Sequence, residues 1–165
     1  MSAAVPTRDR RTARLLALLL PAALLAGAWG SQLWGGLYPC EMCHWQRWPH
    51  YAALVAALLA FALPRMARPL VTLAALLIEA SGVLGVVHAG VEYHWWPGFT
   101  ACTSTVSMSG AMNAADRLAA IMRAPMIRCD VAQWTLGGVS LAGFNAILSL
   151  GGALVILVLL WRKAR

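Results

Sequence analysis

This chain is short of charge: 13 Lys and Arg and six Asp and Glu among 165 residues, 12% of the total. Soluble domains carry about 25% charged and about 45–50% apolar residues. Here the apolar share is 61% and the mean hydropathy +0.68. So little charge beside so much apolar surface excludes a disordered chain and an ordinary water-soluble domain, leaving a protein solvated by lipid. The formal charge of +7 does not indicate nucleic acid. A nucleic-acid binder needs a basic patch on a water-soluble face, whereas these basic residues sit in short clusters between apolar runs. Internal repeats and low-complexity segments are missing too, and the length suits one domain.

What is present is four apolar segments. Residues 15–34 carry no charge over 20 positions, which at 1.5 Å per residue matches a hydrocarbon core of about 30 Å. The second is clean only over 51–63 and must borrow from the Trp-rich stretch before it, giving 44–63. The third, 70–88, contains one acid, Glu79. The fourth, 136–161, ends against Arg162, Lys163 and Arg165. Arg8 to Arg14 ahead of a Leu/Ala run also has the look of a signal peptide. The run exceeds an h-region of about 7–15 residues and Ala26-Gly27-Ala28 is a weak cleavage site, so it is read as a retained span. The expected fold is an all-α integral membrane protein, a four-transmembrane-helix bundle in a single membrane domain spanning 1–165.

Charge asymmetry sets the expected orientation. Residues 1–14, 64–69 and 162–165 carry nine Lys or Arg, while 35–50 and 89–135 carry four. The positive-inside rule puts both termini in the cytoplasm and loops 35–50 and 89–135 outside. Seven of the eight Trp (29, 34, 45, 48, 95, 96 and 134) then lie at or beyond the outer ends, where amphipathic rings favour the headgroup zone. Within the longer loop, Ser104 to Ala124 reads either as a short amphipathic surface helix or as an irregular segment, bounded by Pro97-Gly98 and Pro125.

All four cysteines, Cys40, Cys43, Cys102 and Cys129, fall in these outer loops, where disulfides can persist. Cys40-Glu41-Met42-Cys43 has the C-x-x-C spacing in which one thiol is acidified and the pair cycles between dithiol and disulfide. Cys102 and Cys129 can bridge a flexible segment, but spacing alone does not pair them. A second pair on the same face would supply two centres between which a disulfide can pass. Cys40 to His44 also spells the covalent attachment motif of a c-type haem, with His44 as axial ligand. This alternative, a membrane-anchored haem electron-transfer protein, needs a haem-enclosing domain that 16 residues between two spans cannot form, and it leaves Cys102 and Cys129 unexplained. A four-Cys zinc ribbon needs a second C-x-x-C knuckle, which is missing, and no metal is expected.

The run Leu37-Tyr38-Pro39-Cys40-Glu41-Met42-Cys43-His44-Trp45-Gln46-Arg47-Trp48-Pro49-His50, then His88-Ala89-Gly90-Val91-Glu92, then Cys102, then Arg128-Cys129-Asp130 before the last span, resembles the DsbB family of disulfide bond formation proteins. The resemblance implies a bacterial inner-membrane thiol oxidase that reoxidises a periplasmic thioredoxin-fold partner (DsbA-like) and passes electrons to a membrane quinone, ubiquinone or menaquinone. It places the first redox pair on Cys40 and Cys43 and the second on Cys102 and Cys129. It puts the quinone-side arginine on Arg47, and a further quinone contact approximately on His88.

The residues themselves support part of this. Arg47 lies four positions after Cys43, so a helix running through both would set a permanent guanidinium beside a thiolate; a helix beginning only at Pro49 would leave it in the preceding turn. Trp45 and Trp48 read as interfacial belt residues. His44 either supports a thiolate or sits in the interface. Glu79 is expected as a buried carboxyl bonded to Gln32 or Asn145 rather than a proton relay. Glu92 and Asp130 are given only a loop-structural role.

Overall fold

The computed structural model of the chain describes residues 8–98, 113–123 and 127–162. Four long helices pack side by side: α1 (Arg8–Leu33), α2 (Glu41–Ala62), α3 (Ala67–Glu92) and, after a short α4 (Ala114–Arg123) and a hairpin β1 (Thr135–Leu136) and β2 (Val139–Ser140), the final α5 (Leu141–Trp161). α3 packs on both α2 and α5, and α1 on α2 and α5. Pro64–Met66 form one 3₁₀ turn between α2 and α3.

Local signals explain the boundaries. Cys40 caps α2, its sulfur accepting from the Cys43 backbone N–H, and Glu41 adds a carboxylate to the first turn, where the helix dipole favours negative charge. The helix thus begins at Glu41 and runs through Pro49, three residues earlier than expected, so Arg47 is helical and not in a turn. Its opposite end stops before Pro64, which cannot continue a hydrogen-bond ladder. Gly137 and Gly138, with φ of 59° and 81°, take the two left-handed positions that a tight hairpin turn requires. Ser140 then caps α5 through the Gly143 N–H. In the longer loop the second half of the expected surface helix is present as α4, while the rest lies outside the described residues.

At one end the core is built of small residues: Ala53, Ala56, Ala57 and Ala60 of α2 against Ala74, Ala75 and Ile78 of α3. Such residues let helix backbones approach, the packing mode of membrane bundles. α3 and α5 come closest at Gly85, where an added Cβ would lie 2.9 Å from the Ala146 backbone nitrogen. The outward faces are apolar; Leu19, Leu58, Leu73, Leu76, Ile147 and Leu154 are all exposed, far more apolar surface than a water-soluble monomer presents. α1, the stretch Pro64–Glu92 and α5 are long and apolar enough to cross a membrane. α2 falls short of that measure because its first half carries His44, Gln46, Arg47 and His50.

Glu79 corrects one expectation. The bundle-facing stripe of α3 runs through Ala75, Ile78, Ser81, Gly82 and Gly85, and Glu79 falls outside it, exposed. The two partners expected for it are engaged elsewhere, Gln32 by Arg47 and Asn145 by Gln46 and Ser81.

Candidate functional site

The end of the bundle where α2 and α5 begin holds the polar chemistry. Cys40 and Cys43 stand one helical turn apart at the start of α2, free, with their sulfurs 3.1 Å from each other. The Cys40 S–H donates to the Cys43 sulfur, which pulls the Cys43 thiol below its ordinary range; burial opposes this, while a second bond linking the two residues and the charge of Arg47 assist it. The same shared proton, reinforced by burial, pushes Cys40 far up. The pair is therefore polarised, with Cys43 the more acidic thiol.

Arg47 is only 8% exposed. Its Nη1 donates to Gln32 Oε1 at 2.9 Å and its Nη2 to the Ala28 carbonyl at 3.1 Å, and the guanidinium lies over the Trp29 ring at 5.4 Å. Two of its five N–H donors are thereby used, which fixes the plane of the fork and leaves the others for a ligand. Beside it opens a cavity of about 210 Å³ between α1, α2 and α5, lined by Leu24, Ala28, Cys43, Arg47, His88 and Phe144 among others. Its wall is mostly apolar, with Arg47, Arg128, Glu92, His88, Gln46 and Asn145 among the polar side chains that reach it.

His88 reaches this centre from α3. Its Nε2 lies 3.5 Å from the Cys40 sulfur and 3.7 Å from Glu92 Oε1, and its Nδ1 lies 2.8 Å from Gln46 Nε2. Cys129 arrives from the segment before the hairpin: its sulfur, that of Cys40 and a ring nitrogen of His88 all lie within 4.8 Å of one another. Cys129 is disulfide-bonded, and a bidentate Arg128–Asp130 pair flanks it, with contacts of 2.8 and 2.6 Å. That pair draws the Asp130 carboxyl down to about 2.

Cys40, Cys43, Arg47, His88 and Cys129 are thus brought together, while Cys102 lies outside the described residues. His44, Trp45 and Trp48 are exposed, since helical positions next to an inward residue point away. Glu92 has more than a loop role, because it accepts from the Ser140 hydroxyl and faces His88. Sequence reasoning missed a polar layer in which Gln46, His50, Ser81 and Ser149 are buried and Asn145 is half-buried. The available signal was polar side chains inside apolar helices, which are expensive in a membrane and mark function by default.

A membrane protein that carries at one end of its bundle a polarised C-x-x-C pair, with a third, disulfide-bonded cysteine against it, is an integral thiol–disulfide oxidoreductase. The chain belongs to the DsbB family: the model described as "Disulfide bond formation protein DsbB" matches residues 10–159, nearly its whole length. It is therefore a membrane-integral oxidoreductase of disulfide bond formation. No curated protein and no solved structure is significantly similar to it.

Proposed function

We propose that this protein oxidises a periplasmic thioredoxin-fold dithiol protein of the DsbA kind and delivers the electrons to a membrane quinone. The carrying observation is that Cys129 meets Cys40 beside a cavity lined by Cys40, Cys43 and Arg47. In this reading the four long helices all cross the inner membrane, with both termini in the cytoplasm as the basic clusters favour. α2 crosses despite its polar half because Gln46, Arg47 and His50 are buried against α1, α3 and α5.

Cys102 and Cys129 form the partner-facing disulfide. The partner's thiolate attacks Cys102, its bond to that sulfur forms, and Cys129 leaves as a thiolate. Cys129 then attacks Cys40 of the Cys40–Cys43 disulfide; the Cys129–Cys40 bond forms, the Cys40–Cys43 bond breaks, and the electron pair leaves on Cys43. The position of Cys129 beside Cys40 supports this choice of sulfur, and the polarisation of the pair makes Cys43 the better leaving group. A quinone in the cavity supplies a two-electron, two-proton acceptor. The cavity fits such a ring, being mostly apolar with the Arg47 fork at its edge to meet an oxygen that gains charge. Cys43 stands at the cavity wall, and re-forming the Cys40–Cys43 bond from the dithiol would release the two electrons and two protons that such an acceptor takes up. His88, expected to meet the quinone, lines the same cavity but turns Nε2 to Cys40.

Thiol trapping of the purified protein with a reduced thioredoxin-fold partner tests the proposal. With quinone present all four cysteines should return to the oxidised state; without it they should accumulate reduced. Identical thiol states in both conditions would remove the quinone step.

A further inference from the structure

We infer that His88 is locked as the Nε2–H tautomer by a relay of two side-chain amides, so that it serves Cys40 as a hydrogen-bond donor and not as a base. The inference rests on Cys40 being an exchange sulfur. Amide oxygen and nitrogen are distinguished by their partners, and here two backbone carbonyls, which only accept, make the distinction. Gln46 Nε2 lies 3.1 Å from the Met42 carbonyl, so the atom there must be the NH₂ group. That same nitrogen is 2.8 Å from His88 Nδ1, so Nδ1 must accept and the ring proton must sit on Nε2.

Asn145 holds Gln46 in this orientation. Its Nδ2 donates to the Ser81 carbonyl at 3.1 Å and to Gln46 Oε1 at 2.8 Å. Its Oδ1 accepts from Ser149 Oγ at 2.9 Å and faces His50 Nε2 at 3.0 Å. Turning either amide over would set oxygen against oxygen at a backbone carbonyl. The surroundings of His88 Nε2 agree: the Cys40 sulfur and Glu92 Oε1 lie beside it and both can accept.

The consequence concerns the exchange between Cys129 and Cys40. The partner's second thiol displaces Cys102 from the mixed disulfide, closing the partner's own disulfide; when the freed Cys102 thiolate then attacks the Cys129–Cys40 bond, the Cys102–Cys129 bond forms and the electron pair leaves on Cys40. At that moment Cys43, left as a thiolate by the preceding exchange, has no proton to share. An N–H aimed at Cys40 from 3.5 Å then stabilises the departing thiolate, whereas a bare nitrogen would repel it. His88 is thus a catalytic donor to Cys40, and Gln46 and Asn145 are positioning residues that fix its tautomer.

Imidazole ¹⁵N shifts of the full chain in lipid nanodiscs report the tautomer directly, with His88 assigned by its loss in His88→Phe. The wild type should show an unprotonated Nδ1 and a protonated Nε2, and Gln46→Glu should add a proton to Nδ1. Alkylation of Cys40 in a Cys43→Ser background gives the second readout, across a pH range that also titrates the facing groups Glu92 and, if reduced, Cys129. At neutral pH His88→Phe should slow it about tenfold, equivalent to about one pKa unit, and Gln46→Leu by less. An Nδ1–H tautomer in the wild type overturns the inference, as does an alkylation profile unchanged by His88→Phe. Neither readout needs quinone or partner, so an inactive oxidase with the stated tautomer would remove the proposed function alone.

Discussion

At the scale of single residues, the asymmetry of the C-x-x-C pair follows from the first turn of one helix. Cys40 is the cap and Cys43 is the residue whose N–H it caps, so the two sulfurs meet and one proton serves both. The Cys43 thiol is held below its ordinary value and the Cys40 thiol above it. A depressed thiol keeps its thiolate as pH falls through about 8.5, where a free cysteine loses it. Alkylation of the dithiol protein near pH 7 should therefore mark Cys43 first, and peptide mapping should find Cys40 labelled only at markedly higher pH. Equal labelling would contradict the shared proton. Arg47 acts at the same scale. Arg47→Ala should weaken apparent quinone affinity by about 1–3 kcal/mol, the value of a charge-assisted hydrogen bond, and leave thiol exchange with the partner largely intact. Arg47→Lys should recover only part, because a point charge cannot hold Gln32, the Ala28 carbonyl and a ligand in one plane. Turnover of Arg47→Ala at the wild-type rate under limiting quinone would make Arg47 a headgroup anchor only.

At the scale of elements, the contact between α3 and α5 sets the site. α3 supplies Ser81, His88 and Glu92, and α5 supplies Asn145 and Ser149, so the polar layer exists only while these helices stay in close register. Gly85 permits that approach, since a Cβ there would press on the Ala146 nitrogen and on the Asn145 amide at 3.1 Å. Backbone cannot yield as a flexible side chain can. Gly85→Ala should cost about 1–3 kcal/mol, the usual range for overpacking, read as a lowered unfolding temperature in detergent. An unchanged midpoint would show the helices can part without loss. The hairpin before α5 adds a second constraint. The Tyr93 hydroxyl accepts from the Ser140 N–H and donates to the Gly138 carbonyl, at 2.8 and 2.9 Å, fastening the start of α5 to the end of α3.

At the scale of the whole molecule, the proposed function separates what would meet a soluble partner from what would meet lipid. Cys40 and Cys43 are fixed to a helix at the cavity, whereas Cys102 belongs to the long loop, the largest extramembrane segment expected from the sequence. A mixed disulfide normally collapses when the neighbouring thiol attacks. Cys129→Ser removes that thiol and should trap a covalent adduct between Cys102 and a thioredoxin-fold partner, visible on a non-reducing gel and lost on reduction. An adduct formed through Cys40 or Cys43 instead would show the partner reaching the membrane-side pair directly, and the proposed electron route would fail.

The sequence by itself determined the membrane class, the four helical segments, the C-x-x-C pair and the family, because hydropathy, helical spacing and short motifs are local properties of a chain. It also placed Arg47 four residues from Cys43, a spacing that became a shared cavity wall once α2 began at Glu41. Which residues meet across helices was decided only by tertiary structure. Gln32, assigned in the sequence to Glu79, lies instead with Arg47, and Glu79 faces outward, because an error of one position in a helix turns a side chain by about 100°. Cys129 comes to Cys40, and Gln46 to His88 and Asn145, only when a loop and three helices from distant parts of the chain close on one point. Long-range packing of that kind leaves no periodic trace in the sequence, only isolated polar letters in apolar runs.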